Sequence, residues 1–138
     1  MTIEKKKIKE QKKGDAKQKA ILLAEDDRFL IKVLSDKLEH KGYDVTLAID
    51  GVEALEKLKK GKFDLMLLDL IMPNKDGFEV LEELKKSKTL KKVPIVILSN
   101  LGQDSDIEKG KALGATDYLI KSNLGINEVV EKIKKFLK

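Results

Sequence analysis

The 138-residue sequence predicts an open, doubly wound α/β domain built on a parallel five-stranded sheet. From Ala20 onward, short apolar runs alternate five times with longer amphipathic segments, the pattern of strand followed by helix. The short runs are apolar nearly throughout, which indicates strands covered on both faces. Glycines at 42, 61 and 114 follow helical segments, where a helix C-terminus favours a left-handed residue.

Each predicted strand is a run of four to six residues rich in Leu, Ile, Val or Tyr, which suit an extended, buried backbone. In chain order the runs are AILLA (20–24), YDVTLA (43–48), DLMLL (64–68), PIVIL (94–98) and DYLI (117–120).

The predicted helices cover about 28–41, 51–60, 77–87, 104–113 and 126–137. Asp27 precedes the first as its N-cap. The last has the clearest helical period and should pack against the sheet. The fourth contains Gly110 and few apolar residues, so we expect it to be among the less stable elements. The apolar face of the last helix comprises Ile126, Val129, Val130, Ile133, Phe136 and Leu137.

The formal net charge of +5 lies in the N-terminal segment. Residues 1–19 hold eight lysines against three acidic residues, and residues 20–138 are balanced. Residues 1–19 also contain few apolar residues, too few to offset the entropy of ordering the segment. We therefore predict a flexible extension at 1–19 and one domain at 20–138. The alternative is a basic arm for RNA, DNA or anionic lipid. Because the domain itself is neutral, the basic pI does not indicate a nucleic-acid binder.

Composition excludes several classes of protein. The sequence has no cysteine, so disulfides, thiolate metal sites and cysteine nucleophiles are excluded. No apolar run is long enough for a membrane span, and the N-terminus lacks the apolar stretch of a signal peptide. We therefore expect a cytoplasmic protein.

Polar residues follow four of the five predicted strands. Residues 25–27 (Glu-Asp-Asp) follow the first, Asp69 the third, Ser99 the fourth and Lys121 the fifth. Ligands of such sheets bind at the carboxyl ends of the strands. Converging acids persist only with a cation or bound protons, and oxygen ligands alone favour Mg²⁺ or Mn²⁺. The added lysine suits phosphoryl oxygens, which both lysine and magnesium bind.

Four segments in this order, ILLAEDD, LLDLIMPNKDG, PIVILSN and GATDYLIKS, resemble the receiver domain of two-component response regulators. The resemblance covers roughly residues 20 to 138. It implies a flavodoxin-like fold with strand order 2-1-3-4-5 and a role in phosphorelay signal transduction.

The resemblance also implies a role for each site residue. Asp69 would be the phosphoacceptor, attacking the phosphorus of a phosphohistidine in a sensor histidine kinase or a histidine phosphotransfer protein. Asp26 would bind Mg²⁺ directly and Glu25 through water, and the backbone carbonyl of Ile71 would complete the protein ligands. Lys121 would pair with the phosphoryl oxygens.

The resemblance implies a switch as well. Ser99 would donate its hydroxyl to the phosphoryl group, and Tyr118 would move inward when Ser99 shifts. Alternatively, Tyr118 is a tyrosine packed in its strand with no switching role. Because no output domain follows the fifth helix, we expect a stand-alone receiver. Its partner would bind the face formed by the fourth helix, the fifth strand and the fifth helix.

Three features depart from the family's pattern. Ser122 replaces the proline that usually follows the lysine, so nothing favours a cis peptide there. Asn100 is larger than the residue usual after the hydroxyl. Ile71 and Leu101 are apolar where polar side chains often assist the attacking water, so we predict slow loss of the phosphoryl group.

Two other functions compete with the receiver. The first is a binding module that keeps the fold and is never phosphorylated, which the departures at Asn100 and Ser122 allow. The second is a phosphatase that forms an aspartyl phosphate at Asp69. Such enzymes generally carry a second aspartate two residues after the nucleophile, and Ile71 at that position argues against turnover.

Overall fold

The computed structural model describes residues 18–88 and 93–138, so the predicted extension at 1–19 falls, apart from its last two residues, outside the described part. Strands and helices alternate through the described residues as predicted. They are β1 (Ala20–Ala24), α1 (Arg28–His40), β2 (Asp44–Ala48), α2 (Gly51–Lys60), β3 (Leu65–Leu68), α3 (Gly77–Lys86), β4 (Ile95–Ser99), α4 (Asp104–Ala112), β5 (Asp117–Ile120) and α5 (Ile126–Ile133).

The five strands form one parallel sheet in the order β2-β1-β3-β4-β5, which confirms the predicted fold class. The register aligns Ala24 with Ala48 on one side and with Leu68 on the other. Three strands therefore end at one level of the same edge, and the residues that follow them lie side by side there.

The sheet separates two apolar cores. Ile21 and Leu23 point to the face covered by α1 and α5, and Leu22 and Met66 point to the face covered by α2, α3 and α4. β3 is buried along its whole length, which explains its uninterrupted apolar sequence.

The helix termini follow the sequence signals with two exceptions. The side chain of Asp27 accepts hydrogen bonds from the backbone of Phe29 and Leu30, which confirms it as the N-cap of α1. Gly42 and Gly114 have positive φ, as predicted. The prediction for Gly61 is wrong, because its φ of −124° is extended and the chain turns directly toward β3.

The second exception is the last helix. The predicted α-helix over 126–137 ends at Ile133, and a 3₁₀ turn follows at Lys134–Phe136. Such tightening is common at helix ends. Leu137 is nevertheless buried, and Val129, Val130 and Ile133 pack on the sheet as predicted. No helix among the described residues combines the length and the apolar character that a membrane span needs.

Candidate functional site

Three carboxylates meet at the carboxyl edge of the sheet. Glu25 and Asp26 follow β1, and Asp69 follows β3. One oxygen of each carboxylate lies within 4.8 Å of the other two. Glu25 and Asp69 are buried, with 1% and 6% exposure, and Asp26 is exposed. The sequence predicted this convergence, because the ends of adjacent parallel strands share an edge.

Lys121 completes the cluster from the end of β5. Its Nζ lies 2.8 Å from Oε1 of Glu25 and 3.0 Å from Oδ2 of Asp69. It begins a 3₁₀ turn at Lys121–Asn123, and no peptide bond in the described segments is cis. Ser122 in place of the family's proline therefore does not keep the ammonium group from the acids.

Burial sets the electrostatics of this cluster. It raises the pKa of Glu25 above the ordinary 4.5, and the negative charge of Asp69 adds to the rise, although the hydrogen bond from Lys121 opposes it. Burial also acts to lower the pKa of Lys121, but the bonds and charges of Glu25 and Asp69 outweigh it and raise that pKa. One ammonium thus faces more negative charge than it can neutralise.

The donor set fits a hard divalent cation. All three side chains offer oxygen, and the cluster brings these oxygens close together in spite of their repulsion. Mg²⁺ prefers oxygen ligands and is usually held by one or two carboxylates plus waters. The residues present therefore suit magnesium at this edge.

Ser99 and Tyr118 lie on the β4–β5 side of the site. Ser99 is fully buried at the end of β4, and its Oγ accepts a hydrogen bond from the backbone of Leu101 at 3.4 Å. The Tyr118 hydroxyl donates to the carbonyl of Leu101. Burial raises the pKa of Tyr118 to about 12, with smaller contributions from Asp106 and Asp69. Both side chains therefore hold the loop that follows β4.

The loop after Asp69 is fastened to the start of α2, which the sequence did not reveal. Asn74 has a φ of +67°, and its Nδ2 donates to Oδ2 of Asp50 at 2.6 Å. The backbone of Gly51 donates to the carbonyl of Lys75 at 3.1 Å. Asparagine's tolerance of left-handed backbone was a usable signal, but its partner lies 24 residues away.

Gly77 lets α3 begin directly beneath Asp69. Its backbone donates to the carbonyl of Leu70 at 2.9 Å. A Cβ at this position would lie 2.4 Å from the carbonyl oxygen of Asp69, closer than real contacts allow. A glycine is thus required at position 77 by the close approach of backbone to backbone.

The family model described as "Response regulator receiver domain" matches residues 21–134. The chain therefore belongs to the response regulator receiver domain family, which confirms the resemblance. The match includes every site residue described above.

Solved structures agree with the family. The chain resembles the phosphorylated cyanobacterial phytochrome response regulator RcpA, with 33% identity, a TM-score of 0.78, and coverage of 87% of this chain and 94% of that one. It also resembles the receiver domain of the sensor histidine kinase PA1611 from Pseudomonas aeruginosa PAO1, solved with a magnesium ion coordinated in the active-site cleft. That pair shares 28% identity and a TM-score of 0.77, over 87% of this chain and 98% of the other.

A curated relative, the probable transcriptional regulator ycf29 of Porphyra purpurea, is 38% identical over 86 residues, which is 62% of this chain. The matched part is 41% of that relative, so the chain spans well under two thirds of its length. What the relative does as a whole protein is thus not transferred to this chain.

Proposed function

We propose that the chain is a response regulator receiver that takes a phosphoryl group on Asp69 from a phosphohistidine. The donor would be a sensor histidine kinase or a histidine phosphotransfer protein acting in the cytoplasm. A carboxylate oxygen of Asp69 attacks the phosphorus, a P–O bond forms as the P–N bond of the donor breaks, and an acyl phosphate results. The chain thereby catalyses modification of itself and no further substrate.

One observation carries the proposal: Lys121 lies 3.0 Å from Asp69 inside a cluster of three convergent carboxylates. A lone buried aspartate would need only one partner. This cluster instead holds more negative charge than its lysine balances, which supports a cation and a ligand bearing anionic oxygens.

Each side chain has a proposed task. Asp26, Asp69 and the carbonyl of Ile71 would hold Mg²⁺, with Glu25 acting through water. A bound Mg²⁺ would supply positive charge to the phosphoryl oxygens during transfer. Lys121 would exchange its present contacts for those oxygens, and Ser99 would donate its hydroxyl to them.

The readout would be the surface of α4, β5 and α5. Tyr118 bonds to Leu101, two residues beyond Ser99, so a shift of Ser99 toward a phosphoryl group would alter the acceptor of the tyrosine hydroxyl. In α4 only Gly110 is buried, so little apolar packing opposes a movement of that helix. A downstream protein would bind this surface in one state only.

We also propose that the phosphoryl group is lost slowly. Ile71 is 58% exposed beside the site, and Leu101 is the second apolar residue there. Neither side chain can hydrogen-bond the attacking water, so nothing from these positions assists hydrolysis. The same lack argues against repeated turnover as a phosphatase.

The test is intact mass after incubation with phosphoramidate or acetyl phosphate and Mg²⁺, beside Asp69→Asn as the isosteric control. We expect one phosphoryl group on the wild type, none without Mg²⁺ and none on the control. A folded protein that binds Mg²⁺ and gains nothing would instead be a binding module. A gain on the control as large and as fast as that of the wild type would mean that Asp69 is not the acceptor.

A further inference from the structure

The folded domain is neutral, but its charges lie at opposite edges of the sheet. The segments that follow the strands carry twelve acidic and three basic residues; they are 25–28, 49–53, 69–79, 99–108 and 121–128. The segments that end the helices or precede the strands carry fourteen lysines and six acidic residues; they are 39–44, 57–64, 83–88, 109–117 and 131–138. We refer to the second set as the basic end.

The N-terminal segment joins the domain at the basic end. Lys19 directly precedes β1, and the side-chain amide of Gln18 donates to the carbonyl of Gly42 at 3.0 Å, just beyond α1. Residues 1–17 add seven lysines and three acidic residues. The covalent connection between residues 1–17 and the domain therefore lies at the basic end.

The cations of the basic end are of one kind. All are lysines, and the sole arginine of the sequence, Arg28, lies at the acidic end. Arginine supplies the bidentate contacts by which proteins recognise bases and single phosphates, and aromatic side chains supply stacking on single strands. The aromatic residues of the basic end, Tyr43, Phe63 and Phe136, are half-buried against the two cores, and residues 1–19 contain none. Lysines alone suit a partner recognised by its diffuse negative charge.

The shape of the basic end suits contact with a flat anionic surface better than insertion into a nucleic-acid groove. Lys41, Lys60 and Lys88 are exposed at the C-terminal ends of three different helices. Across the described residues this edge consists of helix ends and turns, and no helix or hairpin projects from it to enter a nucleic-acid groove.

We propose that the basic end binds an anionic lipid surface, with the carboxylate site directed away from it. A lysine near such a surface contributes about 1 kcal/mol, roughly a fivefold change in binding. The strands hold the carboxylates on the order of 15 Å from the basic end. That exceeds a Debye length of about 8 Å, so the lipid charge does not compete for the site's cation.

Sedimentation with phosphatidylcholine vesicles, prepared with and without phosphatidylglycerol, tests this proposal on the full chain. We expect co-sedimentation only with the anionic vesicles, and progressively less of it as salt rises. Asp69→Asn should bind equally well, because the proposal does not depend on phosphoryl transfer.

Two matched variants separate a local surface from net charge. Lys60→Gln with Lys62→Gln removes two exposed lysines of the basic end. Arg28→Gln with Lys32→Gln removes two exposed cations from the first half of α1, which lies away from the basic end. We expect the first pair to weaken vesicle binding at least about fivefold and the second to change it by less than about twofold.

Three results would overturn the proposal. The first is no preference for anionic vesicles near physiological ionic strength. The second is equal loss in both double variants, which would mean that net charge alone is sensed. The third is displacement from the vesicles by double-stranded DNA at matched charge, which would make nucleic acid the partner.

Discussion

Lys121 contacts two buried carboxylates at once, and this makes it the most consequential single residue of the site. Each of Glu25 and Asp69 would carry an uncompensated charge without it. Removing one partner of a buried ion pair costs far more than removing an exposed one, because the remaining charge stays desolvated. The site therefore depends on Lys121 for stability as well as for its proposed chemistry.

We predict that Lys121→Met lowers the free energy of unfolding by about 2–3 kcal/mol at neutral pH without metal. Adding Asp69→Asn should recover part of the loss, because one of the two stranded charges is then gone. Lys32→Met is the control, since Lys32 is 79% exposed in its ion pair and should cost under about 0.5 kcal/mol. Urea unfolding measures all three; a loss in Lys121→Met no larger than the control's would contradict the prediction.

The raised pKa of Glu25 predicts a specific pH dependence. The folded protein holds the Glu25 proton more tightly than the unfolded chain, so its contribution to stability is fully present below the unfolded pKa. That contribution is lost as pH rises through the folded pKa, which lies above the ordinary 4.5. Glu25→Gln should remove this loss.

The variant should therefore gain stability relative to the wild type as pH rises from about 4 to about 7. Urea unfolding across that range, in chelator, measures the difference between the two proteins, in which the other titrating groups largely cancel. A difference that stays constant or falls with rising pH would show that burial does not dominate at Glu25.

At the scale of elements, α4 packs closely on the sheet because Gly110 has no side chain. A Cβ on Gly110 would lie 2.6 Å from Cδ1 of Ile97 and 3.3 Å from the ring of Tyr118. α4 also contacts α3 at two points. Nζ of Lys109 in α4 lies 4.4 Å from the ring centre of Phe78 in α3, and Nζ of Lys85 in α3 donates to the carbonyl of Ala112 in α4. A helix with so few apolar residues is positioned by close approach and by these polar contacts.

We predict that Gly110→Ala destabilises the protein by about 1 kcal/mol, although alanine normally gains about that much over glycine inside a helix. The reason is the clash with the terminal methyl of Ile97, which is fully buried and can move only by disturbing its own packing. In an Ile97→Val background the clashing atom is absent, so the same substitution should be neutral or stabilising. Thermal unfolding measures this cycle; equal effects of Gly110→Ala in both backgrounds would exclude the clash.

The sequence signals succeed for elements that have a strong period or a clear boundary residue. β3 is recognisable because it is apolar throughout, and α1 because Asp27 caps it. The signals fail where tertiary packing decides. The contact of Gly110 with Ile97 depends on how α4 sits on the sheet, and the end of α5 at Ile133 depends on how the last turn closes over the core. Neither is encoded in local periodicity.

For the whole molecule, parallel topology is what made the site predictable. Once the strands are parallel, residues at their carboxyl ends must share an edge, so Glu25, Asp26, Asp69 and Lys121 could be grouped before any distance was known. Which of these side chains pair with one another could not be predicted. That Lys121 contacts both Glu25 and Asp69, and that Asn74 reaches Asp50, depend on side-chain geometry across segments far apart in sequence.

The same topology separates the two ends of the molecule. Helices that run back against parallel strands begin at the site edge and end at the opposite edge. Every helix except α1 has an acidic residue in its first turn, and all five have a lysine in the last turn. These charges favour the helix dipoles and at the same time place the basic end opposite the carboxylates. Phosphoryl transfer and surface binding would thus use different faces of one domain.

The central claim is that the Asp69 carboxylate itself forms an acyl phosphate. Borohydride reduces an acyl phosphate to an alcohol, so treating the phosphorylated protein and mapping its peptides identifies the modified residue. We predict homoserine at position 69, only after incubation with phosphodonor and Mg²⁺. Homoserine at position 26, hydroxynorvaline at Glu25, or a mass gain with no reduced residue at all would contradict the account.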